Sequence, residues 1–368
     1  MKKLLSIALS LMLALTACTA ALAGGEVDTI TIVDHNDNTV TLPADCERIV
    51  VCDILPLPSV LAVFFNSADK IVGMAEASMT AAENSLLGEL YPEILNAETG
   101  FISGSEVNVE ELMKLAPDVV IYNAASTALG EQLTAAGFNA VAVSVNKWNY
   151  DCIETLNQWI ALLSEISPDN DKTAAVREYS ERVLGIVQER VSALPDEERA
   201  RAFFLFKYND STIATSGRQF FGQWWADAVG AVNVANELEQ DNSVTINMEQ
   251  VYAWNPNLIF ITNFTTAQPE DLAANTFGSY DWSGIDAVVD GRVYKMPLGL
   301  YRSYTPGADT PMTLLWMAKT TYPELFSDID ITSEVRNYYS TVFDVELTDA
   351  QIETIFAPTA DAAAGFNY

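Results

Sequence analysis

The hydrophobic and polar positions of this chain form one pattern twice, at residues 108–121 and again at residues 247–260. Each copy places apolar side chains at helical spacing and then reaches a proline, Pro117 or Pro256. Proline lacks the N–H that would extend a helix and favours extended geometry at the residue before it, so a strand is predicted to follow at once. The apolar positions assigned to the two helical faces are Val109, Leu112, Met113 and Leu115, and Met248, Val251, Tyr252 and Trp254.

The similarity continues beyond the two predicted strands, 119–122 and 258–261. In each copy a glycine, Gly137 or Gly291, precedes a further strand-like run. Two similar α/β halves predict a cleft between them, and clefts between domains are common sites for small ligands.

The rest of the pattern alternates strands with helices, which is typical of mostly parallel sheets covered on both faces. Between the two halves, residues 151–166 predict one amphipathic helix and residues 172–193 predict a second. At ~1.5 Å per residue the second helix is ~30 Å long, enough to bridge two lobes. The predicted fold is therefore α/β, with two Rossmann-like lobes joined by a single long α-helix and a ligand cleft between the lobes.

The first residues predict export from the cytoplasm. Lys2 and Lys3 precede an apolar run, residues 4–15, that is shorter than the ~20 residues of a membrane-spanning helix. The residues before Cys18 resemble the lipobox of bacterial lipoproteins, which would make Cys18 a lipidated, membrane-anchored N-terminus; cleavage after Ala23 would instead release the protein. The predicted segments are a signal peptide (1–17), a lipidated tether (18–29), an N-terminal α/β lobe (30–150), a helical region with the bridging helix (151–195) and a C-terminal α/β lobe with C-terminal helices (196–368).

Acidic residues greatly outnumber basic ones. The chain has 50 Asp and Glu against 19 Lys and Arg, a formal charge of −31. Phosphate binding needs clustered Lys and Arg, so this composition argues against nucleic acid as a partner. The charge suits a soluble surface protein or one that docks on a basic partner.

Cysteine and histidine restrict the chemistry further. Cys46, Cys52 and Cys152 follow Cys18, an odd number without the spacing of a disulfide framework or zinc site, although they allow one bridge. The single histidine, His35, lies in a predicted hairpin and cannot supply a cage of several imidazoles for zinc or manganese. The same shortage argues against Ser-His-Asp and Cys-His catalysis.

Five sequence blocks stand out by their order and spacing: Arg48-Ile-Val-Val51 with Lys70-Ile-Val-Gly-Met74, residues 108–122, Phe221-Gly-Gln-Trp-Trp225 with Gly230-Ala-Val-Asn-Val234, residues 247–261, and Gly291-Arg-Val-Tyr-Lys-Met-Pro297. Together they resemble the periplasmic-binding-protein-like receptors of metal-chelate ABC importers, namely the ferric-siderophore, haem and cobalamin receptors. The resemblance covers most of residues 48–326. It implies a monomeric receptor without a cofactor or enzymatic activity, which delivers a metal chelate, most often a ferric siderophore, to an ABC permease and its ATPase. Cobalamin, haem, a nickel chelate or an oxyanion remain alternative ligands.

The ligand cleft is expected to be lined by loops at the carboxyl ends of the strands. Those loops carry many aromatic residues and two of the few arginines. Guanidinium groups pair with carboxylate or catecholate oxygens while aromatic rings cover the rest of a planar ligand. A metal is expected to arrive already wrapped in its chelator, without direct ligation by histidine. The predicted ligand-binding residues are Arg302, Arg218, Tyr301, Tyr304, Trp148, Tyr150, Trp224 and Trp225, with one of the adjacent tryptophans expected in the core.

The resemblance also implies one carboxylate per lobe that docks on arginines of the permease. By position these are Glu93, in Tyr91-Pro-Glu-Ile94, and Glu237, shortly after Val234. Exposed acids at opposite lobe tips would meet basic sockets at little desolvation cost. In so acidic a chain, an ordinary solvated surface charge is the alternative interpretation of each.

Two other functions fit parts of the sequence. An acidic surface protein with seven tryptophans is also compatible with a carbohydrate-active enzyme that uses two carboxylates. The expected cleft loops, however, hold only the scattered acids Asp53, Glu76 and Asp210. A receptor of the same architecture that feeds a signalling partner is the other alternative.

Overall fold

The computed structural model describes residues 28–104, 106–240 and 242–366. The predicted signal peptide, Cys18 and most of the predicted tether lie outside the described residues, so lipidation stays a prediction. The first described element is the antiparallel hairpin of β1 (Thr29–Val33) and β2 (Thr39–Pro43), at the position where the sequence predicted one.

Asp34 and His35 attach the turn of this hairpin to the edge of the first sheet. Asp34 is buried, and its carboxylate accepts hydrogen bonds from the N–H groups of Asn38 and Ala142 at 2.8 and 3.0 Å. His35 Nδ1 accepts the N–H of Ser144 at 2.9 Å, and burial lowers the pKa of His35 to about 4. At neutral pH the only histidine is therefore an uncharged structural group.

The first lobe contains a four-stranded parallel sheet in the order β4 (Ile71–Met74), β3 (Ile49–Val51), β7 (Val119–Asn123) and β8 (Ala140–Val143). Its strands are almost entirely buried, as expected for a parallel sheet with both faces covered. The elements are β3 (Ile49–Val51), α1 (Leu57–Phe65), β4 (Ile71–Met74), α2 (Glu76–Glu83), α3 (Leu86–Leu90), β5 (Ile102–Ser103), β6 (Glu106–Val107), α4 (Val109–Lys114), β7 (Val119–Asn123), α5 (Thr127–Ala135) and β8 (Ala140–Val143).

Two helices lead from the first lobe to the second. They are α6 (Cys152–Ile166) and α7 (Thr173–Val191), where the sequence predicted 151–166 and 172–193. Asp151 caps α6 by accepting the N–H of Glu154 at 2.8 Å.

The second lobe has a parallel sheet of its own, in the order β12 (Val232–Asn233), β9 (Arg201–Leu205), β14 (Leu258–Ile261) and β15 (Val293–Lys295). It also has an antiparallel sheet in the order β10 (Lys207–Asn209), β11 (Thr212–Ser216) and β13 (Ser243–Ile246). The apolar residues 202–208 predict a single strand, but the strand divides at Phe206, whose N–H donates to the Ala214 carbonyl in the antiparallel sheet. The elements are β9 (Arg201–Leu205), β10 (Lys207–Asn209), β11 (Thr212–Ser216), α8 (Phe221–Ala228), β12 (Val232–Asn233), β13 (Ser243–Ile246), α9 (Met248–Trp254), β14 (Leu258–Ile261), α10 (Pro269–Ala274), α11 (Asp286–Val289), β15 (Val293–Lys295), α12 (Thr310–Thr321), α13 (Ile331–Phe343) and α14 (Asp349–Phe356).

The long helix α7 joins the two lobes. It packs against α6, which contacts β1, and against α8, α12 and α13 of the second lobe. The lobes also meet directly, since the Leu86 N–H donates to the Gly299 carbonyl at 3.1 Å. Two separate parallel sheets and one long connecting helix confirm the predicted fold class.

The repeated sequence unit forms equivalent structures in the two lobes. Asn108 and Asn247 cap α4 and α9 through their side-chain oxygens, and β7 and β14 follow the two prolines. The assignment of Met113 and Tyr252 to the buried faces was wrong, because they are 51% and 46% exposed. These two positions are equivalent, and each lies one residue, about 100° of rotation, after a fully buried side chain. Such short helices bury only a narrow face.

Candidate ligand-binding site between the lobes

The two lobes meet where the loop after β8 faces the start of α8. Tyr150 packs against Phe220 and Phe221 of the second lobe, with ring centroids 5.6 and 5.1 Å apart. Trp148, in the same loop, is half-buried and lies edge-on to His35 at 4.9 Å. Of the two aromatic residues predicted in this loop, Tyr150 reaches the opposite lobe and Trp148 packs against its own.

The backbone of this loop is held in an uncommon conformation. Asn149 and Tyr150 both adopt the left-handed region, with φ of 53° and 61°. Asparagine tolerates this region, whereas a tyrosine there costs on the order of 1 kcal/mol or more. The N–H of Asn149 donates to Asn146 and that of Asp151 donates to Trp148, at 3.1 and 2.9 Å, and these bonds stabilise the turn. The turn directs Tyr150 towards the second lobe.

A cavity of about 410 Å³ lies beside this contact. Its volume is in the range of small-molecule sites, roughly 300–1,000 Å³. It brings together two predicted ligand-binding residues, Arg218 and Trp224, and Asn149 adds a wall from the loop after β8. The cavity is lined by Asn149, Arg218, Phe220, Gln223, Trp224, Asp227 and Asn236.

The Arg218 side chain lies at the rim of this cavity and is 54% exposed. Its Nε donates to the carbonyl of Asn236 at 2.9 Å, and one terminal nitrogen lies 3.4 Å from a carboxylate oxygen of Glu239. An exposed ion pair of this kind contributes at most about 1 kcal/mol. The guanidinium is thus positioned by the Asn236 carbonyl but held only weakly by Glu239, so an anionic ligand can compete for it.

The two adjacent tryptophans occupy different environments. Trp224 lines the cavity, while Trp225 is completely buried behind it with ring centroids 4.7 Å apart. The Trp225 indole N–H donates to the Tyr304 carbonyl at 2.9 Å. Trp224 is therefore placed to contact a ligand, and Trp225 supports α8 from the core.

Asp227 adds a carboxylate to the same cavity. Gln223 Nε2 donates to it at 2.9 Å, and burial raises the pKa of Asp227 above the usual range. Its position four residues after Gln223 places the two side chains on one face of α8.

Arg302 lies away from this cavity and is only 1% exposed. Its Nε donates to the carbonyls of Asn263 and Ala362 at 3.0 and 2.8 Å, and its Nη2 donates to that of Ala364 at 2.6 Å. Within residues 28–104, 106–240 and 242–366 no carboxylate lies within ion-pair distance of it. Burying a charge without a counter-charge is costly, which makes Arg302 a candidate partner for an anion.

A row of aromatic rings connects the two arginines. Phe206 lies at its centre, 5.5 Å from Phe220 at the Arg218 cavity and 5.1 Å from Phe264. The ring of Phe264 is 5.5 Å from the guanidinium carbon of Arg302. One apolar wall of the second lobe therefore runs between two cationic ends.

The two predicted tyrosines near Arg302 are both buried. The Tyr301 hydroxyl is 3.3 Å from Arg302 Nη1, and the Tyr304 hydroxyl accepts the N–H of Gly222 at 3.0 Å. Burial raises the pKa of both hydroxyls. Tyr304 packs behind the aromatic row at Phe206, so it supports the wall from the core side.

The two predicted docking acids each make a hydrogen bond inside their own lobe. Glu93 is half-buried, and its Oε1 accepts the N–H of Ala68 at 3.0 Å. Glu237 is exposed, and its Oε1 accepts the indole N–H of Trp254 at 2.8 Å. These bonds fix the position of each carboxylate at the surface of its lobe.

Other groups that could carry chemistry are dispersed. Cys46, Cys52 and Cys152 are buried free thiols, and burial raises the pKa of each. In the part of the chain that the structure describes, no three or more His, Cys, Asp or Glu side chains form a group able to hold a metal ion. In the same ranges no helix has the length and apolar character needed to cross a membrane.

Two residues that line the cavity, Asn236 and Asp227, and the segment that covers Arg302 were not predicted from the sequence. Asn236 follows β12, which at two residues is too short to produce a strand pattern, and the pattern around Asp227 indicates only a helix. The segment that covers Arg302, around Ala362, carried no signal of a site. The four-residue spacing of Gln223 and Asp227 was the one sequence feature that could have indicated that these two side chains lie together on one face of a helix.

Comparison with known proteins identifies the family. The family model for periplasmic binding proteins matches residues 60–298. The chain belongs to this family of periplasmic binding proteins. As a member, it is the extracytoplasmic solute-binding component of an ABC importer, which confirms the resemblance seen in the sequence.

Individual members show how far the similarity extends. A periplasmic solute binding protein from Veillonella parvula is 26% identical, with a TM-score of 0.80 over 91% of this chain and 98% of that one. The molybdate-binding protein MolA of Haemophilus influenzae is 24% identical over 84% of this chain and 89% of MolA. The structure of MolA bound to molybdate superposes with a TM-score of 0.73 and 22% identity, covering 86% and 99% of the two chains. Helicobacter pylori CeuE with Ni(II) bound has a TM-score of 0.67 at 21% identity, covering 89% and 99%.

Proposed function

We propose that this periplasmic binding protein captures an anionic metal chelate, with a ferric siderophore as the first candidate, between Arg218 and Trp224. The observation that carries the proposal is the cavity of about 410 Å³, which residues of the loop after β8 and of the second lobe line together. An arginine at its rim suits carboxylate or catecholate oxygens, and Trp224 and Phe220 suit the planar part of a chelator. In this scheme the metal is cargo and the protein binds without catalysing a reaction.

An oxyanion is the second candidate, and one observation favours it. The buried guanidinium of Arg302 has only neutral oxygen partners among the described residues, and a compact anion would neutralise it. MolA, a relative at 24% identity, is named for molybdate binding. The volume of the Arg218 cavity favours the larger ligand, because a tetrahedral oxyanion would fill little of it.

The acids of the cleft loops support binding over glycan hydrolysis. The carboxylate of Asp53 accepts the N–H of Asn123 and the hydroxyl of Ser126, both at 2.6 Å. Asp210 accepts the N–H of Gly278 at 2.9 Å. These carboxylates are engaged in stabilising their own loops, whereas hydrolysis needs two carboxyl groups that face each other across a glycosidic bond.

The proposal predicts that Arg218→Gln weakens binding of the chelate about 10-fold or more. The substitution removes a charge-assisted hydrogen bond, which contributes roughly 1.5–3 kcal/mol. The measurement is a tryptophan-fluorescence titration with ferric catecholate and hydroxamate siderophores, haem, cobalamin and molybdate. Trp224, at the cavity, is the expected reporter of quenching.

Arg177→Gln is the matched control for this titration. Arg177 is also a partly exposed arginine near a glutamate, 3.8 Å from Glu154, but it lies on α7 outside the cavity. Equal affinities of the Arg218 and Arg177 variants for the chelate would show that Arg218 does not take part in binding. If no compound in the panel quenches the wild-type protein while a glycan is hydrolysed, the receptor function itself is refuted.

We also propose that Glu93 and Glu237 dock on basic sockets of the permease. The double variant Glu93→Gln/Glu237→Gln is expected to bind the chelate with unchanged affinity but to support much slower uptake in cells that express the matching permease. The amide keeps an oxygen for the internal hydrogen bond of each residue and removes only the charge. Glu106→Gln/Glu249→Gln, which neutralises two other surface acids, is the control; uptake reduced equally in both pairs would contradict specific docking.

A further inference from the structure

Residues 359–366, which we call the strap, lie directly over Arg302. The carbonyls of Ala362 and Ala364 accept hydrogen bonds from its guanidinium at 2.8 and 2.6 Å. The ring of Phe366 lies 4.4 Å from the guanidinium carbon and 4.9 Å from the ring of Phe264. The strap carbonyls therefore accept from N–H groups of Arg302 that could otherwise donate to an anion. This contact lies at the Arg302 end of the aromatic row.

The strap also contacts the first lobe. A Cβ atom at Gly365, whose φ is 82°, would lie 3.2 Å from the Cβ atom of Thr80 in α2. At the same time Ala362 and Ala363 are almost completely buried. One short segment thus bridges α2 of the first lobe and the Arg302 loop of the second.

The contacts of the strap are replaceable by a ligand. Its carbonyls accept from Nε and Nη2 of Arg302 but carry no negative charge, and among the residues that the structure describes no carboxylate pairs with this guanidinium. The bonds from Arg302 to the strap carbonyls are already charge-assisted, but an anion would add direct charge–charge attraction in this buried site, so it is the better partner for the guanidinium. Release of the strap exposes the small buried side chains of Ala362 and Ala363 and separates the Phe366 ring from Phe264, and this ring contact is the main apolar cost.

We propose that the strap is a displaceable occupant of the Arg302 end of the cleft, and that the oxygen atoms of an anionic ligand take its place. This inference rests on the proposed function, because it needs a ligand with negative charge in the cleft. The strap then acts as a built-in competitor. The apparent affinity for the ligand equals the intrinsic affinity multiplied by the fraction of molecules whose strap is open. Any change that opens the strap therefore raises the apparent affinity.

A reversible disulfide between strap and first lobe tests the proposal. In Thr80→Cys/Gly365→Cys the Cβ atoms start 3.2 Å apart, a few tenths of an ångström below the usual range of about 3.5–4.5 Å for a disulfide. The three remaining thiols described in the structure are buried and do not compete. The oxidised protein is expected to bind the tightest-binding siderophore of the titration panel, and molybdate, at least 10-fold more weakly than the same protein after reduction with dithiothreitol.

Two further variants complete the experiment. Gly365→Cys alone, oxidised and reduced, shows whether the cysteine itself alters binding, and Phe366→Ala, which loosens the strap, is expected to bind several-fold more tightly than wild type. Equal binding by the oxidised and reduced double variant, or tighter binding when oxidised, would show that the strap is a fixed wall. Absence of binding by wild type, reduced double variant and Phe366→Ala alike would refute the proposed function and the strap with it.

Discussion

Replacement of Trp225 by alanine is expected to lower the free energy of unfolding by about 3–5 kcal/mol. The indole is completely buried in the core shared by α8 and the helices around α7, and its removal leaves a large cavity. The substitution also deprives the Tyr304 carbonyl of its indole donor. Urea denaturation followed by far-ultraviolet circular dichroism measures the change without depending on tryptophan emission.

Trp224→Ala is the matched control, one residue away in the same helix. Trp224 is only partly buried, so its loss is expected to cost clearly less stability while abolishing most of the fluorescence response to ligand. The two adjacent substitutions therefore have different expected effects: Trp225→Ala mainly lowers stability, and Trp224→Ala mainly removes the fluorescence response to ligand. A larger loss of stability for Trp224→Ala than for Trp225→Ala would contradict the assignment of their environments.

Asp34→Asn is expected to lower the free energy of unfolding by about 2 kcal/mol. One carboxylate oxygen of Asp34 accepts the N–H of Ala142 at 3.0 Å and the side chain of Asn38 at 3.1 Å. The NH2 group of an asparagine at that position would face the N–H of Ala142, so this buried N–H would lose its acceptor. The same urea denaturation measures the effect.

Asp37→Asn provides the comparison within the same turn. The Asp37 side chain is 86% exposed, lies 3.5 Å from Lys147, and has a positive φ that asparagine tolerates. Its replacement is expected to change stability by less than about 0.5 kcal/mol. Similar effects of the two substitutions would show that the hairpin is held by its general charge and not by the buried carboxylate of Asp34.

The helices and strands with strong periodicity were predictable, because their sequences report directly on burial. The runs at 119–122 and 258–261 and the two helices 151–166 and 172–193 correspond to β7, β14, α6 and α7. Short elements were not: β12 has two residues, and the break at Phe206 depends on a hydrogen bond to Ala214 in another strand. A run of apolar residues cannot indicate which neighbour each residue will pair with.

The sequence predicted which residue types and which loops form the candidate site, but not which of these residues lie next to one another. Arg218 and Trp224 line one cavity, whereas Arg302 lies at the other end of the aromatic row under the strap. Their environments depend on residues distant in the chain, such as Asn149 for the cavity and Ala364 for Arg302. No spacing within a single segment encodes such contacts.

The sequence by itself determined the two-lobed α/β architecture, the long joining helix and the receptor family, because these depend on periodicity, proline positions and block order that are local along the chain. The tertiary structure alone decided which tryptophan faces the cavity, where the apolar run of the second lobe divides, and what covers Arg302. Burial, hydrogen-bond pairing and charge compensation are set by neighbours in space. Residues 302 and 364 become partners only once the lobes have folded.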